Sequence, residues 1–245
     1  MNDLDDIADY YKIEDDFDMI FMKYNFEVAE KYFFGKTFLE LGCATGESTI
    51  KMLDYADTID VVEGSIKNIE TSQKKINRLQ SSVSSRVKFH HSDWFAFDYA
   101  LSHYSDIVFF RGLEHLSEPD RLLKQIKGSL TEDGRIHIVI PNALSLHRKI
   151  GVSMGLLKST YELNERDKKV GHFKVYDRHQ VEELLRKAGY EIITWKGIFL
   201  KMLPNDEMLR LYKNNPEFIK ALFSIGNEFP EQCAEIYICA KPKKI

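Results

Sequence analysis

The run Thr37-Phe38-Leu39-Glu40-Leu41-Gly42-Cys43-Ala44-Thr45-Gly46-Glu47 decides how the chain is read. A short, mostly apolar strand ends in a turn that carries glycine at Gly42 and Gly46, and a helical stretch follows to about Tyr55. Such a turn between strand and helix lets backbone approach a ligand closely and aims helix N–H groups at it. The G-x-A-x-G pattern alone is weak. The acid just before it narrows the choice, because Glu40 would repel a pyrophosphate seated on the turn and would suit a positively charged ligand group.

Downstream, strands and helices alternate. Ile59–Glu63, Arg86–His91, Asp106–Phe110, Arg135–Ile140, Tyr190–Trp195 and Ala234–Ala240 have strand character. Ser65 is placed to cap a helix running to about Leu79. Ser117-Glu118-Pro119-Asp120 opens another, with Leu122, Leu123, Ile126 and Leu130 on its buried face and Asp133-Gly134 as its close. Asp177 to Ala188 forms a capped amphipathic helix ending at Gly189. The alternation predicts an α/β domain with a parallel sheet covered on both faces. Open sheets of this kind bind ligands at the carboxyl ends of their strands. Three acids meet there: Glu40; Glu63, followed by Gly64 and about 20 residues past the turn, where a carboxylate reaches ribose hydroxyls; and Asp93, positioned to accept from an adenine amino group beside the Trp94 ring. Singly, each has a plainer use, as a buried cap, a solvated turn residue and a helix N-cap.

These residues bring out a family resemblance. Leu39-Glu40-Leu41-Gly42-Cys43-Ala44-Thr45-Gly46 resembles the first motif of class I S-adenosylmethionine-dependent methyltransferases, and Val62-Glu63-Gly64-Ser65, Ser92-Asp93-Trp94 and Arg111-Gly112-Leu113-Glu114-His115-Leu116 follow in the family's order. The likeness covers residues 37–142 well and the rest more loosely. Ala44 stands where many members have glycine. The resemblance implies a Rossmann-like, seven-stranded, mostly parallel sheet whose last strand runs antiparallel. It also implies S-adenosylmethionine as cofactor and S-adenosylhomocysteine as product. Glu40, Gly42, Ala44 and Gly46 would bracket the methionine end, Glu63 and Gly64 the ribose, Asp93 and Trp94 the adenine, and Arg111 would line the floor. Residues 140–148, with Gly171-His172 and Phe199-Leu200-Lys201, are similar to small-molecule methyltransferases of bacterial surface-polysaccharide synthesis.

Methyl transfer from a sulfonium is an in-line displacement, so the protein must mainly align the acceptor and exclude water. An alcohol also needs a base, and His115 and His172 are the candidates; either could instead serve as a packed or backbone-bonded imidazole. Asn142, His147 and Arg148, with Tyr176, are the candidate acceptor contacts, the expected reaction being O-methylation of a sugar-like or anionic small molecule. Arg148-Lys149 equally reads as a solvated cationic turn. No metal site is expected, since His90 and His91 point to opposite faces of their strand.

The composition excludes several classes. With 245 residues, 44% hydrophobic and 29% charged, the chain can bury a sizeable core. Its net charge of −4 and the lack of an Asp/Asn-Pro-Pro-aromatic motif argue against a nucleic-acid substrate. Three cysteines without a Cys-x-x-Cys pair suit a reducing compartment, and with neither leader-like nor membrane-spanning apolar stretches the expectation is a cytoplasmic protein with no membrane partner. A homodimer is left open. Residues 1–245 read as one domain: a helical N-terminal lid over 1–35, a cofactor-binding core over 36–142, acceptor-side insertions and the sixth strand over 143–233, and the last strand over 234–241. The rival readings are a nicotinamide-dependent oxidoreductase, which would want a third glycine and no acid, and a non-catalytic partner subunit on the same fold.

Overall fold

The computed structural model describes residues 4–10 and 16–244. Asp3 and residues 11–15 of the acidic N-terminal run lie outside them. Seven strands, β1 (Thr37–Leu41), β2 (Thr58–Glu63), β3 (Val87–His91), β4 (Tyr104–Phe110), β5 (Leu130–Pro141), β6 (Tyr190–Ile198) and β7 (Glu235–Pro242), form one sheet in the order β3-β2-β1-β4-β5-β7-β6. The pairs β3–β2, β2–β1, β1–β4 and β4–β5 are parallel. The last strand runs antiparallel, as expected, and lies between β5 and β6.

Alternation along the strands sends apolar side chains to both faces. Leu39, Leu41, Ile107, Phe109, Ile136 and Ile138 pack on one side against Leu122, Leu123 and Ile126 of α6 (Pro119–Lys127) and Val181 and Leu185 of α9 (Arg178–Lys187). Phe38, Val61 and Val108 face the other side, where they meet Met52 of α3 (Glu47–Met52). Further along that side Val139, Tyr237 and Cys239 pack with Phe21 and Tyr24 of α2 (Asp18–Ala29), Met208 of α10 (Asn205–Asn214) and Ile219 of α11 (Pro216–Ile225). Each such fully buried apolar side chain contributes about 1.5–3 kcal/mol.

Local signals hold at two helix starts. Ser65 caps α4 (Ile66–Ile76) by accepting from the Asn68 N–H, and Asp177 forms a reciprocal capping box with Gln180 on α9. Elsewhere the boundaries move. The helix after the glycine turn stops at Met52, and α4 stops at Ile76. The N-cap position of α6 is Glu118, with no side-chain hydrogen bond, so the expected Ser117 cap is not used. That helix ends at Lys127, and Leu130 enters β5 opposite Tyr104, so Asp133-Gly134 lies within the strand. The reason is tertiary: backbone pairing to Tyr104 claims Leu130 for the sheet, and its side chain reaches the same core from there.

The N-terminal segment is divided. Helix α1 (Leu4–Tyr10) lies against α4, while α2 is built into the core, with the Phe17 and Phe21 rings 5.4 and 5.5 Å from Phe199. Among the described residues no helix is long and apolar enough to cross a membrane.

Candidate active site

The turn after β1 is held in a conformation few sequences tolerate. Gly42 (φ 80°), Ala44 (φ 45°) and Gly46 (φ 85°) all lie in the left-handed region. A Cβ on Gly42 would sit 3.0 Å from the Trp94 ring, and one on Gly46 would sit 2.9 Å from Ser72 Cβ. Hydrogen bonds fix the loop: Gly42 N–H to Val62 O at 2.9 Å, Gly46 N–H to Cys43 O at 2.8 Å, and Ser72 Oγ to Ala44 O at 3.1 Å. Gly42, Cys43 and Ala44 thereby border a cavity of about 830 Å³ over the carboxyl ends of the strands. Gly46 stands back from it as the N-cap of α3.

Glu40 also stands back. It is buried beneath the turn, where it accepts from Ser48 Oγ and, at 2.5 Å, from Thr49 Oγ1. Burial lifts its carboxyl to about 7 against the pull of those two hydroxyls, and the nearby Glu63 adds to the rise. Glu63 itself borders the cavity, its Oε2 accepting from the Cys43 N–H at 3.1 Å and its Oε1 from the Ser65 N–H at 2.8 Å. Asp93 faces the same space from the end of β3, one oxygen taking the Phe95 N–H at 2.7 Å. Trp94 is pinned by Nε1 to Val62 O at 3.1 Å. Helix α1 covers this end: Leu4 and Ile7 line the cavity, a Cβ on Gly64 would meet Leu4 Cδ1 at 2.6 Å, and Asp5 accepts from Ser65 Oγ at 2.5 Å.

At the other end Arg111, held at φ 53°, lines the cavity between Asp18 at 3.1 Å and Glu235 at 3.3 Å. Arg166 joins the cluster by reaching Asp16 and Asp18 at 2.8 and 2.9 Å. Burial pushes Glu235 up to about 7 and Lys201 down to about 8. Sequence reasoning missed Asp18, Arg166 and Glu235 as partners, because they belong to separate segments and match no local motif; Lys201 entered only through the resemblance of Phe199-Leu200-Lys201.

His115 and His172 come together, their rings 4.8 Å apart, beside the buried carboxylate of Glu114. Burial holds His115 down at about 3, with the neighbouring His172 and Arg111 pushing the same way. His172 Nδ1 lies 3.2 Å from Asp167 Oδ1. His147 borders the cavity too, its Nδ1 buried without a hydrogen-bond partner.

The remaining acceptor candidates are used differently from the expectation. Asn142 gives both amide hydrogens to the Glu231 and Cys233 carbonyls, at 3.0 and 2.8 Å, and accepts from the Leu144 N–H at 2.9 Å. Arg148 borders the cavity, but its donors go to Thr160 O at 2.6 Å, Glu162 O and Asp167 Oδ2 at 3.2 Å. It is a brace, and the expected solvated turn does not describe it either, since its side chain is buried. Tyr176 packs in the core and does not border the cavity. These polar groups sit on chain that closes over the sheet, and buried backbone carbonyls claim their donors before a ligand can.

With that geometry in place, residues 15–194 match the model of a family described as a methyltransferase domain. The chain belongs to that family. This methyltransferase domain is 23% identical over 222 residues to the uncharacterized protein MJ1252 of Methanocaldococcus jannaschii, 83% of each chain being covered. A Mesorhizobium loti S-adenosylmethionine-dependent methyltransferase superposes with a TM-score of 0.62 at 12% identity, covering 88% of this chain and 97% of that one. The N-methyltransferase NodS of Bradyrhizobium japonicum, solved with S-adenosyl-L-homocysteine, gives 0.59 at 12% identity over 93% and 88%. These structures share the Rossmann-like methyltransferase fold.

Proposed function

We propose that this methyltransferase transfers a methyl group from S-adenosylmethionine to an oxygen of a small sugar-like or anionic acceptor. The observation that carries the reading is that Glu63 and Asp93, at the ends of adjacent strands, face one cavity bordered by the glycine turn. The donor set fits the cofactor. Glu63 Oε1 retains a lone pair for a ribose hydroxyl after accepting the Ser65 N–H, while Oε2 takes the Cys43 N–H and, at 3.7 Å, Cys43 Sγ; Asp93 keeps an oxygen for the adenine amine. Trp94 offers a ring edge, and α1 borders this end through Leu4 and Ile7. Glu40 acts from beneath, fixing the start of α3 and adding negative charge under the turn. A cavity of about 830 Å³ lies in the range of sites that enclose a ligand and a co-substrate.

S-adenosylmethionine, held by Glu63, Asp93 and the Gly42–Ala44 turn, would supply a sulfonium-borne methyl group for in-line transfer to the acceptor oxygen. The chain's part is to hold that oxygen in line and dry. Glu114, His115 and His172 are the polar groups that gather at the acceptor end, beside Arg111 and Arg166, whose charges are met there by Asp16, Asp18 and Glu235. The likeness of residues 140–148, 171–172 and 199–201 to surface-polysaccharide enzymes supports a sugar-derived acceptor. Arg148 positions the 160–167 segment behind His172.

Calorimetry with S-adenosylhomocysteine tests the cofactor half: binding in the micromolar range is expected, weakened at least tenfold by Glu63→Gln or Asp93→Asn. Release of S-adenosylhomocysteine is then measured across sugar, sugar-nucleotide and phosphorylated acceptors. Equal affinity in the wild type and both variants would remove the basis of the assignment.

A further inference from the structure

Glu114, His115 and His172 form a cluster that the reading above uses only as the wall of the acceptor pocket. Each offers one ligand atom, and all these atoms lie within 4.8 Å of one another. Glu114 is 1% exposed, and neither of its carboxylate oxygens has a hydrogen-bond partner. A buried carboxylate is normally paired or coordinates a cation, because leaving it unpartnered is strongly unfavourable. The guanidinium of Arg111 lies nearby, but it is already shared between Asp18 and Glu235.

We infer that Glu114, His115 and His172 bind a first-row divalent transition-metal ion at the acceptor end of the cavity. Two imidazoles and one carboxylate are the donor set of Mn²⁺, Fe²⁺, Co²⁺ or Zn²⁺ rather than of Mg²⁺ or Ca²⁺, which prefer all-oxygen cages. With bonds of about 2.0–2.2 Å, ligand atoms settle roughly 3–3.5 Å apart, so the cluster needs only rotamer-scale contraction to close. Three protein ligands leave positions open for an oxygen of the acceptor.

The surroundings are those of a supported metal site. His172 Nδ1 lies 3.2 Å from Asp167 Oδ1, an ion-pair contact in which Nδ1 makes no hydrogen bond. Asp167 is itself fixed by the Asn164 N–H at 2.9 Å and by Arg148 at 3.2 Å. His115 lies against Gly171, where a Cβ would sit 3.9 Å from its Nδ1, and the Glu114 carbonyl accepts from the Phe173 N–H at 2.8 Å, tying the two ligand-bearing segments together. Carboxylate and carbonyl partners behind ligating histidines fix the ring orientation and raise ligand basicity. An acceptor hydroxyl bound to the ion would lose its proton more readily, the proton passing to solvent water, and would then attack as an alkoxide.

This inference rests on the methyltransferase reading for the acceptor's presence, and the test separates the two. Chelator-treated, desalted full-length protein is titrated with MnCl2, CoCl2 and ZnCl2 by calorimetry, with Co²⁺ visible absorption as an independent readout. One ion per chain is expected, with d–d bands from Co²⁺. Affinity falls at least tenfold in Glu114→Gln and in His172→Ala, with His115→Gln as the conservative check. S-adenosylhomocysteine titration and circular dichroism of each variant report whether the fold survives. Absence of uptake by the wild type, or uptake that the three variants share undiminished, overturns the metal site while leaving the cofactor assignment standing. Ion uptake without S-adenosylhomocysteine binding would sink the cofactor assignment and keep the metal.

Discussion

Replacing Glu40 with glutamine should make the protein more stable at high pH. The carboxyl is lifted from an ordinary 4.5 to about 7, chiefly by burial. Below the unfolded value both states hold the proton, and the group's contribution is fully present; as pH rises through about 7 the folded state must also ionise, and the contribution is lost. At 1.36 kcal/mol per pH unit, the difference amounts to about 3 kcal/mol between pH 4.5 and pH 8.5. The glutamine amide can still meet Ser48 and Thr49 but cannot ionise, so E40Q escapes this loss. In a chain of this length about 1 kcal/mol moves Tm by roughly 2–4 °C, which predicts a gain near 6–12 °C at pH 8.5 and almost none at pH 4.5. Glu235, also lifted to about 7, is present in both proteins and cancels in the difference. Thermal melts of wild type and E40Q across that range give the comparison, and parallel curves would refute the reasoning. Affinity for S-adenosylhomocysteine should move the other way, falling about tenfold, or about 1.4 kcal/mol, as the charge beneath the turn disappears.

Three further outcomes follow from the geometry. Of the two tryptophans, Trp94 borders the cavity, so S-adenosylhomocysteine should alter the protein's fluorescence, and W94F should abolish that response while Trp195 still emits; a response that persists would place the ligand elsewhere. Gly46→Ala puts a Cβ at φ 85° against Ser72, and a loss of 1 kcal/mol or more with weakened S-adenosylhomocysteine binding is expected from melts and calorimetry; an unchanged Tm would contradict it. Arg148→Met removes the donors bound to Thr160, Glu162 and Asp167, so amide exchange over residues 160–167 should quicken by tenfold or more, and unchanged protection would deny Arg148 its bracing role.

The fold was legible because its decisive signals are local. A strand, a glycine turn and a capped helix occupy adjacent residues, and the periodicity of β4 and α6 follows from which side chains each must bury. Asp177 and Ser65 announced their helices through hydrogen bonds that span three residues. The limits of β5 were not legible, because Leu130 belongs to strand or helix according to whether Tyr104 is its neighbour. In the site, the placement of Glu63 and Asp93 beside the glycine turn was readable for the same reason: both lie at short offsets from strand ends, and both border one cavity. The acceptor end was not. Asn142 and Arg148 look like ligand-binding groups until Cys233 and Thr160 claim their donors, and Glu114 acquires meaning only when His172, on a distant segment, folds against it.

The antiparallel β7 fills a slot between β5 and β6, though it leaves the ribosome after every other strand. Until it arrives, β5 keeps an unpaired apolar border, and β6, whose strand partner among the described residues is β7, has no place in the sheet. Synthesis of this chain therefore includes an interval in which the β5 border is open to any extended peptide of suitable pattern. Chaperone dependence and aggregation on slow translation should centre on this late insertion.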